Sequence, residues 1–449
     1  MKKVFTVSLG CPKNLVDTEV LLGLLAEAGY EPCEEPGQAD LLLVNTCGFI
    51  QSAVEEGIDE ILALAEFKEE RPGLRLVVVG CLVQRYGTEL ARELPEVDLF
   101  LGTDAPRDLV ASLRTLARQA EPPLLIGQPE FLMDSTLPRR LSAPAHRAYL
   151  KVTEGCANRC AYCLIPSLRG PLRSRPLDDL LQEADTLDRL GVKELTLVAQ
   201  DLTAYGHDLG PGTPRLRELL TALLDRTAIP WIRLLYLYPA RVDDALLEYI
   251  AANPRIVPYL DIPLQHVSDR VLAAMRRPYT LQRIEALLAS IRRILPHAAI
   301  RTTLMVGFPG ESEEDVQLLA AFLSRHRLEH VGIFAYSDEE GCAAHTLPDK
   351  CGEEEKAERR ERLMALQAEI SLARNQGMVG KTEMVLVEGV SRESDLLLEG
   401  RTRFQAPEID GCVYITSGTC TPGEFVQMRI TEAHPYDLVG ELVEEEGNS

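Results

Sequence analysis

Six strand-like runs alternate with helical stretches between residues 146 and 335, and no other feature of the 449-residue chain restricts its fold as tightly. The runs fall at 147–152, 194–200, 231–236, 257–263, 299–306 and 330–335. Apolar residues recur at helical spacing between them, at 177–190, 216–225, 243–252, 281–294 and 313–325. Strands joined in order by helices pair in parallel. Six such units suit an open, partial form of the eightfold (β/α) barrel, with functional groups at the carboxyl ends of the strands.

The most distinctive residues sit at that rim. Directly after the first run comes Gly155-Cys156-Ala157-Asn158-Arg159-Cys160-Ala161-Tyr162-Cys163, a C-x3-C-x2-C loop. Three thiolates can hold three irons of a four-iron cubane and leave the fourth open to a small molecule, whereas closed clusters take four cysteines. Structural zinc also favours four ligands, usually as separated C-x2–4-C pairs, and no fourth Cys or His lies nearby. Other runs end on Val198-Ala199-Gln200-Asp201, Pro263-Leu264-Gln265-His266 and Val306-Gly307-Phe308-Pro309-Gly310-Glu311. These glycines and amides suit close approach to a bound small molecule, or serve as ordinary turns and caps, with Ser312 a candidate N-cap. His266 is a base or an ordinary loop histidine. Arg169, Arg173 and Arg175 either meet a carboxylate or are solvated.

Residues 2–118 form a second α/β unit. Strand-like runs at 3–8, 41–45 and 74–79 alternate with helical stretches at 14–28, 50–67 and 83–93, which means a parallel sheet covered on both faces. Cys11, Cys47 and Cys81 each follow one of these runs, and ligands of open α/β sheets bind outside the carboxyl ends of strands. The three thiols are therefore expected to converge on one rim, with Gly10, Gly48 and Gly80 allowing the backbone to turn closely there. Cys33, in a polar loop, breaks the pattern and is given no role.

Residues 119–141 lose periodicity and are rich in proline, as expected of a linker or of a strap over a surface. The unit with six strand–helix repeats is placed at 142–373 and includes a charged helix at 353–376. After Gly380 come short β-type runs at 384–388, 396–399, 412–415 and 424–430, separated by polar turns, as in a small barrel at 374–440. Cys412 and Cys420 within it are expected to bind no metal. An acidic tail is placed at 441–449. Residues 381–449 carry five Lys and Arg against fourteen Asp and Glu, and the whole chain has a formal charge of −22. That balance argues against a general nucleic-acid binder and suits a basic partner. No apolar run approaches the ~20 residues of a membrane span, and no signal peptide is read at the amino terminus. Eleven cysteines without such a signal favour thiols and metal over disulfides, hence a cytoplasmic location.

The loop at 155–163, with an aromatic residue before its last cysteine, resembles the signature of the radical S-adenosylmethionine superfamily. The order of parts resembles its methylthiotransferase family over essentially the whole chain: three cysteines at successive strand ends, then the radical loop, then a small barrel of the TRAM type. Val7-Ser8-Leu9-Gly10-Cys11-Pro12-Lys13-Asn14, Ile165-Pro166-Ser167-Leu168-Arg169-Gly170, Ala204-Tyr205-Gly206 and Val331-Gly332-Ile333-Phe334-Ala335-Tyr336-Ser337 are most similar to the branch acting on a conserved aspartate of a small-subunit ribosomal protein. The tRNA-modifying branch usually carries Asn where Asp201 stands.

The resemblance implies two [4Fe-4S] clusters, one held by Cys156, Cys160 and Cys163 and one by Cys11, Cys47 and Cys81, each with an open iron. It also implies S-adenosylmethionine, with Tyr162, Gln200, Gln265 and Gly307 as contacts. The implied reaction methylates a sulfur atom on the second cluster, takes hydrogen from the β-carbon of the target aspartate through an adenosyl radical, and transfers the methylthio group. No catalytic residue beyond the cluster ligands is implied. A small-subunit ribosomal protein and an electron donor protein are the expected partners, with neither membrane nor tRNA. Two rival readings are methylthiolation of a tRNA adenosine by the same chemistry, and a zinc-stabilised interaction module without catalysis.

Overall fold

The computed structural model describes residues 1–116, 123–142, 144–391 and 393–443. The first residues of the expected linker, 119–122, and residues 444–449 of the expected tail lie outside the described residues.

The amino-terminal unit is built from β1 (Lys2–Ser8), α1 (Pro12–Glu27), β2 (Tyr30–Pro32), β3 (Leu41–Thr46), α2 (Gln51–Glu70), β4 (Arg75–Gly80), α3 (Cys81–Glu93), β5 (Leu99–Leu101), α4 (Ala105–Thr115) and β6 (Leu124–Leu125). Its sheet is parallel throughout, in the order β2-β1-β3-β4-β5-β6. Leu41-Leu42-Leu43-Val44 and Leu76-Val77-Val78-Val79 are buried on both faces, which is why these strands are continuous apolar runs rather than alternating ones. Leu124 and Leu125 pair with β5, so part of the expected linker completes the first sheet.

The central unit starts with β7 (Arg147–Lys151). A two-stranded hairpin, β8 (Thr153–Glu154) with β9 (Arg173–Ser174), encloses the cysteine loop and α5 (Ile165–Arg169). Then follow α6 (Leu177–Arg189), β10 (Glu194–Val198), α7 (Leu216–Arg226), β11 (Trp231–Leu234), α8 (Asp244–Ala252), β12 (Ile256–Asp261), α9 (Asp269–Ala274), α10 (Leu281–Ile294), β13 (Ala299–Val306), α11 (Glu313–His326), β14 (His330–Ala335) and α12 (Glu353–Gln376). The sheet order is β14-β13-β12-β11-β10-β7, all parallel, so neighbours in sequence are neighbours in space. This is the open six-unit arrangement that the alternation predicts. Ser312 caps α11 as expected, in a capping box with Asp315.

The carboxy-terminal barrel closes in the order β15-β16-β17-β19-β18, from β15 (Thr382–Val390), β16 (Leu398–Thr402), β17 (Val413–Ile415), β18 (Phe425–Ala433) and β19 (Leu438–Leu442). The fifth strand runs through Glu441 and Leu442, where the sequence reading starts an acidic tail.

Strand alternation in the central sheet separates two interiors. Ala148, Leu150, Leu195, Leu197, Ile232 and Leu234 face the surrounding helices. Tyr149, Val198, Trp231, Val257 and Tyr259 face the other way, packed with Val16 and Val20 of α1 and with Leu386, Ala406 and Phe425 of the barrel. An open barrel leaves its inner face uncovered. Here the first unit and the carboxy-terminal barrel cover it.

Candidate iron-sulfur and S-adenosylmethionine site

Cys156, Cys160 and Cys163 lie half-buried on the loop that leaves β8. Gly155 opens this loop with φ +67°, and a side chain there would strike the Gly170 and Pro171 carbonyls. The middle of the loop is tied to the barrel rim. Ala161 donates its N–H to the Met275 carbonyl at 3.0 Å, and its own carbonyl accepts from Ala344 N–H at 2.8 Å. Asn158 Nδ2 donates to Asp201 Oδ2 at 2.7 Å, Arg241 also pairs with Asp201, and Arg241 Nη2 donates to Asn158 Oδ1 at 3.2 Å. Asp201 thus holds the loop from below and is itself almost fully buried.

The sulfurs accept N–H groups. Asn158 N–H reaches Cys156 Sγ at 3.4 Å and Arg277 Nη1 reaches Cys160 Sγ at 3.5 Å. Burial pushes the Cys163 thiol up to about 12, and the neighbouring Cys160 and Cys156 sulfurs add to the rise. Burial raises the Cys156 thiol as well, and positive charge placed among the sulfurs, as iron supplies, opposes both rises.

These three cysteines line a cavity of about 840 Å³, together with Tyr162, Gln200 and Gln265. Its walls also include Tyr236, Arg277, Arg301, Phe334 and Arg360, and the segment 49–52 that follows Cys47. Gln265 and Tyr236 both take left-handed backbone conformations, at φ 69° and 63°. The surrounding structure holds them there: Gln265 N–H bonds to the Thr303 carbonyl at 2.8 Å, and Tyr236 N–H to Asp261 Oδ2 at 3.0 Å. Such conformations in non-glycine residues concentrate at functional sites. Gly307 stands apart from this wall. It turns at φ +73° with its Cα against Lys356, and its N–H donates to Glu311 Oε1 at 2.8 Å.

The second set lies at the ends of three adjacent strands, with Cys11 after β1, Cys47 after β3 and Cys81 after β4. At Gly10, φ +95°, a Cβ would sit 2.9 Å from Cys47 Cβ and 3.3 Å from its sulfur, so only glycine lets these two loops meet. Burial pushes the Cys47 thiol up to about 11, with Cys81 and Cys11 adding to the rise. Burial acts the same way on Cys11, but Lys13, Arg169 and the N–H groups of Lys13 and Asn14 outweigh it and hold that thiol below its ordinary value. Cys81 shares an apolar cluster with Leu164, which directly follows Cys163, and with Leu168, Phe49 and Cys342. Tyr236 lies in the field of Cys11 while lining the cavity of the first set. Lys13, two residues past Cys11, places its Nζ 4.0 Å from the centre of the Tyr236 ring, and residues 49–52 follow Cys47 into the wall, so the loops that carry the second set adjoin this cavity.

Neither set closes on a single point. Among the described residues, no group of three or more His, Cys, Asp or Glu side chains is drawn together tightly enough to hold one metal ion. A cubane asks for something different, because each thiolate takes its own iron. Three thiols per set, gathered at a rim with N–H donors to sulfur, fit that demand.

Other sequence candidates fall elsewhere. His266 is fully buried. Its Nδ1 accepts the Ser268 N–H at 2.9 Å and its Nε2 faces Glu311 at 3.3 Å, so it braces the loop after β13 rather than the cavity. Arg169 and Arg175 meet carboxylates of this chain in buried pairs, and Arg173 lies half-exposed over backbone carbonyls. Sequence reasoning missed Arg277, Tyr236, Arg301 and Arg360. Only the first left a trace, in the Arg276-Arg277-Pro278 step that interrupts an otherwise apolar stretch.

Comparison with known proteins agrees with this architecture. Residues 3–102 match the family described as Uncharacterized protein family UPF0004, residues 150–323 the Radical SAM superfamily, and residues 379–443 the TRAM domain. The chain is 52% identical to the ribosomal protein uS12 methylthiotransferase RimO of Desulfotalea psychrophila, over 98% of this chain and 99% of that protein. It is 52% identical to the protein of the same name from Pelobacter propionicus, over 99% and 98%. For that of Geobacter sulfurreducens the identity is 48%, over 98% and 99%. Among solved structures, the radical S-adenosylmethionine methyltransferase TsrM from Kitasatospora setae superposes with a TM-score of 0.55 at 15% identity, over 74% of this chain and 73% of that one, and so shares the fold. A radical S-adenosylmethionine core implies S-adenosylmethionine and a [4Fe-4S] cluster as working groups. With relatives matched nearly end to end at about half identity, this chain is an enzyme and belongs to the RimO family of radical S-adenosylmethionine methylthiotransferases.

Proposed function

We propose that this enzyme adds a methylthio group to the β-carbon of a conserved aspartate in the small-subunit ribosomal protein uS12. The observation that carries the reading is this adjacency: one cysteine set lines the cavity, and the loops that carry the other reach its wall through Lys13 against Tyr236 and through residues 49–52. Cys156, Cys160 and Cys163 would hold the radical-generating cluster, and Cys11, Cys47 and Cys81 a second [4Fe-4S] cluster. When bound, these groups supply an electron to split S-adenosylmethionine and a site for the sulfur that is delivered.

The chain's own residues bind, orient and shield. Tyr162, Gln200 and Gln265 offer one aromatic face and two amides beside the cysteine loop for the nucleoside and amino-acid tail of S-adenosylmethionine. Gly307 shapes the turn after β13 that carries Met305 into the wall. The acidic barrel suits a basic ribosomal protein as partner and disfavours tRNA. On this reading residues 2–118 carry the second set, 119–141 are the linker, 142–373 the radical core and 374–440 the barrel. Reducing equivalents come from an electron donor protein, and a ribosomal substrate places the enzyme in the cytoplasm.

The test is an anaerobic reaction of reconstituted enzyme with S-adenosylmethionine, reductant and sulfide, with uS12 and bulk tRNA competing, followed by mass spectrometry of both. The expected result is a methylthio mass gain on an aspartate peptide of uS12; the same gain on a tRNA adenosine overturns the substrate assignment. In Cys11→Ala, release of 5′-deoxyadenosine is expected to continue while thiolation stops. Normal thiolation by that variant would refute the second ligand set.

A further inference from the structure

Arg169 ends α5, six residues after Cys163, yet its side chain reaches into the other unit. Nε donates to Cys81 Sγ at 3.2 Å, Nη1 to Asp17 Oδ2 at 2.6 Å and Nη2 to Asn14 Oδ1 at 2.5 Å. Asn14 in turn donates through Nδ2 to the carbonyls of Leu9 at 3.0 Å and Thr46 at 3.1 Å, the residues that lead into Cys11 and Cys47. Arg169 is 4% exposed. Lys151 completes the cluster: it pairs with Asp17 and, at 2.8 Å, with Glu154, so two buried cations face two buried carboxylates. That balance makes burial of the arginine tolerable.

Balance alone does not require arginine. A lysine would also neutralise Asp17. What the planar fork adds is donors in several fixed directions at once, one for the carboxylate, one for the amide and one for the sulfur. The positive charge also bears on all three thiols of the set and draws each of them down, against the burial that raises them.

We propose that Arg169 is a positioning residue for the second cluster: a side chain of the radical core that hydrogen-bonds a ligand sulfur of the amino-terminal unit and holds that cluster's reduction potential above the value it would otherwise have. This rests on reading Cys11, Cys47 and Cys81 as the ligand set. Iron-sulfur potentials follow hydrogen bonding to sulfur, local charge and solvent exposure. An N–H donor and a nearby cation favour the more negative reduced state, so removing them lowers the potential. The first set has its own donor in Arg277, from the loop after α9, so each site can be altered separately. Because Arg169 comes from the opposite unit, the tuning exists only while the two units are docked.

The experiment uses the full chain carrying Cys156→Ala, Cys160→Ala and Cys163→Ala, in which only the second set remains. Iron content and the EPR signal of the reduced protein establish that this background holds a cluster; an iron-free background refutes the ligand set itself, separately from the role of Arg169. Within the background, redox titration should place the midpoint of Arg169→Met at a more negative potential. Pulsed EPR should show loss of an exchangeable proton coupled to the cluster. Asp17→Asn should move the midpoint the opposite way, to a less negative potential, because it removes a negative charge from the same network. Mere loosening of the interface would move both variants in one direction. Shifts of the same sign, or none, overturn the proposal. If Arg169→Met does not load with iron, the Asp17→Asn arm still decides: a midpoint unchanged or more negative there refutes it.

Discussion

At the scale of single residues, the placement of the six cysteines at strand ends was legible, because a cysteine pattern that follows the strands shows in the sequence. The residues that serve them were not. Arg277 and Tyr236 are ordinary residue types, singled out by a contact with a sulfur far away in sequence or by a strained backbone angle, and for Arg169 the sequence suggested a carboxylate partner but not its contact with Cys81. Arg360 is the same kind of residue. Of the arginines in the cavity wall, Arg301 pairs with Asp261 at 2.8 Å, and Arg277 is occupied by Tyr279, the Pro263 carbonyl and Cys160. Arg360 is exposed on α12 and has no hydrogen-bond or ion-pair partner among the described residues. On the proposed function, a free cation in the wall of this cavity is placed to meet the carboxylate of the target aspartate. Arg360→Ala is expected to raise KM for the protein substrate about fivefold, the equivalent of about 1 kcal/mol, while kcat changes less than twofold. Steady-state kinetics at varied uS12 concentration read this out, and a fall in kcat with KM unchanged would count against the assignment.

At the scale of elements, long strands and helices could be read from their periodicity, and short ones could not. β2, β5 and β6 span three, three and two residues, too few to show any period; each is a strand because its neighbours offer a ladder edge. The prolines of the segment 123–142 allow a free connector or a strap, and the segment is a strap, fastened along its length. β6 joins the first sheet, and Arg139 joins α1 to α6. Arg139 bonds to Glu19 Oε2 through Nε at 2.8 Å and Nη2 at 2.6 Å, and also pairs with Glu183. Ser142 N–H donates to Glu19 Oε1 at 2.9 Å. Glu19 is 1% exposed, so neutralising it leaves a buried guanidinium short of charge and two N–H groups with poorer acceptors. Breaking a buried pair in this way costs about 3–5 kcal/mol. Glu19→Gln should lower the denaturation free energy by about 3 kcal/mol and expose 130–142 to limited proteolysis; a variant as stable and as resistant as the parent would show that the strap is held by its apolar contacts instead.

At the scale of the whole molecule, the sequence named three parts but not how they close on one another, because the closing contacts join residues more than a hundred positions apart. It did leave one trace. Lys151, Glu194, Arg233, Asp261 and Arg301 put charges on strands that are otherwise apolar, and all of them point to the inner face of the open sheet. There they bind the other parts: Lys151 pairs with Asp17 of α1, and Glu194 with Arg401 of the barrel. Glu388 on β15 makes the barrel seam sensitive to acid. Burial raises its carboxyl, but the His146 hydrogen bond and the charges of Arg401 and Arg147 outweigh that and hold it at about 2. An unfolded glutamate titrates near 4.3, so Glu388 stabilises the fold fully above that value and loses its contribution as pH falls toward about 2. Trp231, the single tryptophan, packs edge-on against Phe425 of β18 with ring centroids 4.8 Å apart, so its fluorescence reports this seam. Urea unfolding followed at Trp231 should show the parent losing stability between pH 6 and pH 3 by about 2 kcal/mol more than Glu388→Gln does, the difference expected from that one displaced titration. If the two proteins lose stability in parallel over that range, the acid response of the seam belongs to other carboxylates, and the barrel is held on the core chiefly by the apolar contacts of Trp231, Tyr259 and Phe425.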